Sequence, residues 1–393
     1  MNTFTTPSAE RIHISVFGKR NAGKSSLVNA ITNQNISIIH PQPGTTTDPV
    51  SKAMEIQPLG PVVIIDTPGY DDCGDLGELR VEKTKKILDK TDIAILVVDI
   101  NLGIDEYDNE YIQFFLNRNI PYIIVYNKCD DAKFTTYTEK NICYISEKNK
   151  TNIEQLLNNL QNIAKTIPQK NILLSDIVKK NDTVVLVTPI DSGAPQGRII
   201  MPQQQTIRSI LDTEAVAIVT QPNQLEQTLS TLSTKPALVI TDSQVFAQVD
   251  AIVPTDIPLT SFSILMARYK GFLKTAVQGA LVIDTLDNGD KVLICEGCTH
   301  HKKCDDIGSV KIPAWLRSYT QKDLKIHNVS GNDFPSDISS YKLIIHCGGC
   351  MLTQRQMHSR EAIANTHNIP MTNYGIAIAH MNKILQRSIE IFT

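Results

Sequence analysis

The chain has 393 residues, more than one ordinary hydrophobic core holds, so two or three domains are expected. Its 41% hydrophobic and 20% charged residues are those of a globular protein, and no apolar run approaches the ~18–20 residues of a membrane span. With 38 basic against 41 acidic residues it lacks the basic excess of a general nucleic-acid surface, so neither a membrane nor a nucleic-acid partner is expected.

The opening MNTFTTPSAERIHISVFG has no basic head, apolar stretch or small-residue cleavage site of a secretory signal, which predicts a cytoplasmic location. IHISVFG, PVVIIDT, DIAILVVDI and PYIIVYNK are continuous β-branched runs, and LGELRVEKTKKILDK between them has helical periodicity. That alternation predicts parallel strands covered by helices on both faces.

Directly after the first run comes Gly18-Lys19-Arg20-Asn21-Ala22-Gly23-Lys24-Ser25, a G-x-x-x-x-G-K-[ST] loop in its strand-to-helix setting. Backbone N–H groups of Asn21, Ala22, Gly23, Lys24, Ser25 and Ser26 are expected to wrap the phosphates at a helix N-terminus. Lys24 reaches the β- and γ-phosphates, and Ser25 binds Mg2+. Gly44-Thr45-Thr46-Thr47-Asp48 is a polar loop from which Thr46 supplies a hydroxyl to the metal. Asp66-Thr67-Pro68-Gly69 closes the second strand, where Asp66 holds Mg2+ through water and the Gly69 backbone senses the γ-phosphate. Asn127, Lys128 and Asp130 follow the fourth strand, and the Asp130 carboxylate matches the guanine N1–H and 2-amino donors, which selects GTP.

The ordered set GKRNAGKS, GTTTD, DTPG, NKCD and an ISEK loop at Ser146 resembles the Era/MnmE-type GTPases. In that group an Asn at the position of Asn21 goes with K+-activated hydrolysis. Tyr70 stands where Ras-like enzymes carry the water-orienting Gln, so slow intrinsic turnover is expected.

The helical run TNIEQLLNNLQNIAKTI ends before Pro168, which places a domain boundary between residues 166 and 181. TVVLVTPI, AVAIVT and PALVITDS then alternate with helices at QQTIRSIL and PNQLEQTLSTL, a second small α/β unit without a phosphate motif. The third region offers ALVIDTL, DKVLIC and YKLIIHC as strands, and TQRQMHSREAIANTH and GIAIAHMNKILQRSIEIF as helices. The expected architecture is α/β in three domains, at 1–168, 181–265 and 266–393, and no internal repeat is evident.

Five of the eight cysteines, Cys295, Cys298, Cys304, Cys347 and Cys350, lie in the last region, which in a reducing compartment points to metal more than to disulfides. Two thiol-bearing loops leave DKVLI and YKLII at equivalent ends, so a parallel sheet brings them together. Cys298, Cys347 and Cys350 as three thiolates suit an iron–sulfur cluster. Cys295-x-x-Cys298 with Cys347-x-x-Cys350 equally suits a closed zinc site. Against zinc, Cys295 continues an apolar run and reads as a core residue; Cys304 reads as a free thiol, and the histidines other than His300 and His346 as surface or core.

The spacing C-x-H, the 45 residues 301–345, then H-C-x-x-C resembles the C-terminal signature of the FeFe-hydrogenase maturation GTPases of the HydF family. The resemblance implies a 4Fe-4S cluster on Cys298, Cys347 and Cys350 with an exchangeable fourth position, for which Glu296, His300, His346 and Asp305 are candidates. It further implies a middle domain that forms a homodimer or higher oligomer, and a transient diiron precursor made with the radical-SAM maturases HydE and HydG and passed to the apo-hydrogenase HydA. The alternative is an Era-like GTPase of ribosome or tRNA biology with a structural zinc site.

Overall fold

The computed structural model describes residues 6–32, 50–68, 84–130, 141–146, 148–167, 172–190, 199–297, 306–331, 333–335 and 337–392. The chain forms two compact units, Met1–Gln169 and Lys170–Thr393. Among the described residues no helix is long and apolar enough to cross a membrane.

The first unit is built on β1 (Ile12–Phe17), β2 (Val50–Ile56), β3 (Gly60–Asp66), β4 (Ile93–Asp99), β5 (Tyr122–Asn127) and β6 (Ile142–Tyr144). They lie in the order β2-β3-β1-β4-β5-β6, parallel except for β2 against β3. The expected strands are β1, β3, β4 and β5; the central β4 buries Ile93 to Val98 without a break, because helices cover both faces. β2 escaped sequence reading because it is a largely exposed edge with one buried residue, and β6 because it has three residues. Helices α1 (Lys24–Thr32), α2 (Glu106–Asn117) and α3 (Ile153–Thr166) pack on the sheet. Of LGELRVEKTKKILDK, only residues 84–90 are described, and 84–88 are helical.

The second unit holds two four-stranded parallel sheets. The first contains β7 (Thr183–Val187), β8 (Val216–Thr220), β9 (Leu238–Thr241) and β10 (Leu259–Ser261), with helices α4 (Met201–Asp212), α5 (Leu225–Thr231), α6 (Phe246–Ile252), α7 (Phe262–Tyr269) and α8 (Leu273–Ala280). The other contains β11 (Lys291–Glu296), β12 (Lys325–Ser330), β13 (Leu343–His346) and β14 (Met371–Asn373), with α9 (Ile312–Thr320), α10 (Gln354–Thr366), α11 (Tyr374–Met381) and α12 (Leu385–Ile389). ALVIDTL is not a strand: Leu281–Thr285 is a 3-10 turn. It continues straight from α8, and both edges of β11, the strand that follows it, are already taken by β12 and β13.

The two sheets are duplicates, which corrects the expectation of no repeat. Their orders, β10-β9-β7-β8 and β14-β13-β11-β12, are the same order, with the first strand of each pairing the second and third. Asp182 and Asp290 each accept from a backbone N–H three residues earlier. Val187 pairs Thr241 where Cys295 pairs His346. Ile257-Pro258-Leu259-Thr260-Ser261-Phe262 matches Ile369-Pro370-Met371-Thr372-Asn373-Tyr374, and Ser261 and Asn373 cap the helices that follow. Only the hydrophobic pattern and a few turn residues are shared, too little to show in a linear reading.

The halves interlock. α8, from the first, packs on β14, and α12, from the second, packs on β10. At the crossing of α7 and α11, the Gly375 N–H donates to Ser263 Oγ at 3.1 Å, and a Cβ on Gly375 would stand 2.7 Å from Ser263 Cβ, so only glycine fits. One core joins Phe246, Ile264 and Phe272 to Leu293, Ile344 and Met371. The expected boundary at 265/266 therefore falls inside α7, which ends at Tyr269.

Arg387 of α12 fastens this exchange, donating to Asp250 Oδ1 at 2.6 Å and to the Val253 and Pro254 carbonyls at 2.9 and 2.6 Å. Arg387→Ala is expected to cost about 2 kcal/mol, since charge-assisted bonds are lost at a partly exposed site. Trp315, the single tryptophan, lies in α9 and so reports this unit alone. Its fluorescence in urea should show an earlier midpoint, with nucleotide affinity unchanged.

Candidate nucleotide and metal sites

The loop from β1 to α1 turns at Gly18, whose φ is +138° and where a Cβ would stand 2.3 Å from the Val97 carbonyl oxygen of β4. The loop therefore lies tight against the neighbouring strand, and Asn21 (φ 60°) and Gly23 (φ 94°) complete its left-handed turns. Lys24 Nζ is folded into it, donating to the Gly18 and Lys19 carbonyls at 2.9 and 2.6 Å.

Ser25 Oγ donates to Asp66 Oδ2 at 2.7 Å across the ends of α1 and β3. Burial pushes the Asp66 carboxyl up, against the Ser25 hydrogen bond and the Lys24 charge. Asp66 Oδ1 is buried with no hydrogen-bond partner. A hydroxyl beside an unsatisfied carboxylate oxygen fits Mg2+.

Asn127, fully buried, donates to the Ala22 carbonyl at 3.0 Å and so ties the base-reading strand end to the phosphate loop. Ser146 Oγ donates to Asp130 Oδ1 at 2.7 Å, while Lys128 Nζ donates to Asp99 Oδ2 at 2.7 Å. Lys128 hydrogen bonding holds the Asp99 carboxyl below its usual range against the opposing effect of burial. Lys128, Asp99, Leu102, Arg20 and Asn21 line a cleft between the loop and the end of β4. The structure thus brings together Asn21, Ala22, Gly23, Lys24, Ser25, Asp66, Asn127, Lys128, Asp130 and Ser146; Thr46, Gly69 and Tyr70 lie outside the described residues. Lys19 and Asp99 were missed by sequence reasoning; Lys19 pairs with Asp105, the cap of α2, and nothing local in sequence signals that long-range contact.

In the second unit β11 and β13 are parallel neighbours, as expected, and their ends place Glu296 and Gly297 beside the Cys347-to-Cys350 loop. Cys347 Sγ accepts from the Gly297 and Gly349 N–H groups at 3.0 and 3.4 Å. Burial pushes the Cys347 thiol up, and the two N–H groups with Arg360 oppose it. Cys350 is pushed up to about 11 by burial and by Cys347, with Lys270 in opposition. It packs against the apolar cluster that holds Phe262, Leu265 and Met266 of the first half. Backbone donors on a buried sulfur and a nearby cation suit a thiolate held by metal.

Cys298 follows Gly297 directly and, with His300, Cys304 and Asp305, lies outside the described residues. Among the described residues no three His, Cys, Asp or Glu side chains converge as a metal site. Cys295 is fully buried in the apolar core, as its sequence setting suggested, and takes no part.

His346 must be withdrawn as a fourth ligand in this geometry. Arg360, which can only donate, reaches its Nε2 at 2.7 Å, so Nδ1 carries the proton and donates to the Cys347 carbonyl at 2.8 Å. Burial and the Arg360 charge push the ring down to about 3, so it stays neutral with both nitrogens engaged. Glu296, 7% exposed, remains at the site. Arg360, Lys270 and Tyr374 were missed because they arrive from α10, the C-cap of α7 and α11, distant in sequence.

Residues 13–128 match the family described as 50S ribosome-binding GTPase, residues 173–271 the Hydrogen maturase F dimerization domain, and residues 274–391 the Hydrogen maturase F tetramerization domain. The tRNA modification GTPase MnmE of Carboxydothermus hydrogenoformans is 36% identical over 186 residues, covering 44% of this chain and 39% of its own length. That of Acetivibrio thermocellus is 31% identical over 195 residues, covering 47% and 42%. The chain thus spans about two fifths of the length of these relatives. Among solved structures, Aquifex aeolicus Era bound to GDP.AlF4- is 21% identical, covering 53% of this chain and 92% of that one, with a TM-score of 0.33.

Because its folded pKa lies above the unfolded one, ionised Asp66 subtracts stability at neutral pH, and the penalty fades as pH falls through the folded value and is gone below the unfolded one. Asp66→Asn should leave the nucleotide-free unit as stable as the parent or more so at pH 7, a difference that vanishes in acid. GTP turnover should fall ~100-fold or more, as when a positioned electrostatic contact is removed. Thermal melts and phosphate release measure the two effects.

Proposed function

From the hydrogen maturase F architecture of this chain, a GTPase domain followed by that family's dimerization and tetramerization domains, we propose a GTP-switched iron–sulfur scaffold of FeFe-hydrogenase maturation. The observation that carries the scaffold reading is the pairing of β11 with β13, which sets the Cys347-to-Cys350 loop against the residue preceding Cys298. In this reading Cys298, Cys347 and Cys350 hold a 4Fe-4S cluster, and Glu296, being a carboxylate, gives a weak, exchangeable fourth contact. A diiron precursor then docks beside the cluster and leaves again, received from HydE and HydG and passed to HydA in the cytoplasm.

In the nucleotide site, Lys24 exchanges its two loop carbonyls for β- and γ-phosphate oxygens, Ser25 and Asp66 hold Mg2+ with Thr46, and Gly69 reports the γ-phosphate. Bound Mg2+ neutralises charge on the phosphate oxygens. Asn127, Lys128 and Asp130, with Ser146 steadying the Asp130 carboxylate, select guanine. Asn21 is assigned to K+, which the ratio of GTP turnover in K+ and Na+ tests directly. With Tyr70 in place of a water-orienting amide, turnover is slow, so the nucleotide state acts as a switch on partner binding. Equal HydE or HydG affinity with GTP, GDP and no nucleotide would count against that coupling.

The homodimer is assigned to the free edge of β8. Val216 and Val219 are 52% and 45% exposed on an edge strand that carries no charge, whereas its duplicate β12 reads Lys-Ile-His-Asn-Val-Ser. An apolar, unprotected edge pairs with another strand unless covered, and a second copy provides one. Val219→Lys should halve the mass measured by light scattering if the dimer is the largest species, or remove one step of assembly if tetramers form.

The cluster is tested by anaerobic EPR of the reduced, iron-reconstituted protein. A 4Fe-4S signal is expected, lost or altered in Cys298→Ala, Cys347→Ala and Cys350→Ala alike. Stoichiometric zinc without a cluster would sink the scaffold reading and favour a structural site.

A further inference from the structure

A buried hydroxyl without a partner stands in the cluster half. Tyr374, first residue of α11, is 6% exposed, and its Oη has no hydrogen-bond partner among the described residues. A Cβ on Gly308 would stand 2.2 Å from Tyr374 Oη and 2.3 Å from Glu296 Oε1, so phenol and carboxylate flank one point. Cys347 packs in the same apolar cluster as the Tyr374 ring. A hydroxyl in that state costs the fold stability, because its bond to water is lost and nothing replaces it.

The duplicated half provides the comparison within the same chain. Phe262 occupies the position of Tyr374, after Ile-Pro-Leu-Thr-Ser in place of Ile-Pro-Met-Thr-Asn, and is 3% exposed. The fold thus accepts the ring without the hydroxyl. Where the first half has Val187, Thr241 and Phe262, the second has Cys295, His346 and Tyr374. A tyrosine hydroxyl carries its proton at neutral pH, so Oη can act as a donor.

We propose that Tyr374 Oη is a hydrogen-bond donor to a sulfur of the iron–sulfur cluster held in this half, an acceptor the described residues do not provide. The inference rests on the scaffold reading of Cys298, Cys347 and Cys350. Hydrogen bonds to cluster sulfur favour the more negative, reduced state and raise the reduction potential.

Tyr374→Phe tests it in the full chain, with and without anaerobic reconstitution by iron and sulfide. The apoprotein should melt no earlier than the parent, as Phe262 indicates. The loaded variant should keep its iron content, show a midpoint potential shifted to more negative values in EPR-monitored titration, and lose one deuterium-exchangeable proton coupling. An earlier apoprotein melt would mean the hydroxyl is bonded within the fold, and overturn the proposal. So would an unchanged potential and coupling in a variant loaded as fully as the parent, with the scaffold reading left standing. A parent that takes up no cluster would remove the scaffold reading and this donor together.

Discussion

Parallel strand pairing is the constraint on which the rest of this molecule depends. Parallel neighbours cannot be joined by a tight turn, so each strand is followed by a crossover, and the loops that begin those crossovers collect at one end of the sheet. All three sheets share a parallel core in which the first strand lies between the second and third. The crossovers that leave strands one and three then run in opposite directions, and a crevice opens between those strands. In the first unit that crevice lies between β1 and β4 and receives the phosphate loop; in the second half of the other unit it lies between β11 and β13 and receives the thiols.

The duplication separates what the fold requires from what the site requires. Val184 to Val187 and Val292 to Cys295 are equally buried, and the halves share caps, register and exchanged helices. Thr241 and His346 both donate to the next carbonyl, at 3.3 and 2.8 Å, but only the imidazole has a second nitrogen for Arg360. The thiol-bearing half thus carries a buried cation, a neutral ring and a phenol that its partner half manages without. Of these only the phenol hydroxyl is unsatisfied among the described residues, and an unsatisfied buried polar group costs ~1–3 kcal/mol, which is a sign of a ligand more than of architecture.

In the nucleotide site, charges are held ready by internal partners that a ligand can replace. Lys24 rests on carbonyls, Ser25 on Asp66, and Ser146 on Asp130. Donors fixed in place before the substrate arrives need little reorganisation, which is how a site stabilises developing phosphate charge. The Asp66 carboxylate, with one oxygen unsatisfied, is the strained member of this set and the one with most to gain from a cation.

The sequence by itself determined the nucleotide site, because its motifs are local: the turn at Gly18, the Lys24-Ser25 pair, Asp66 at a strand end and Asn127 to Asp130 each act within a few residues of chain. It also located the thiol loops, since Cys347-x-x-Cys350 follows an apolar run. Only the tertiary structure decided what surrounds them. The duplication is a matter of register and strand order, the 265/266 boundary dissolves because α7 packs against α11, and ALVIDTL turns because it continues α8 while both edges of β11 are already taken. Arg360 and Tyr374 reach the thiols from helices that adjoin them only once β13 and β14 pair. Contacts between segments far apart in the chain depend on which strands become neighbours, and hydrophobic periodicity, being local, records which face is buried but not against what.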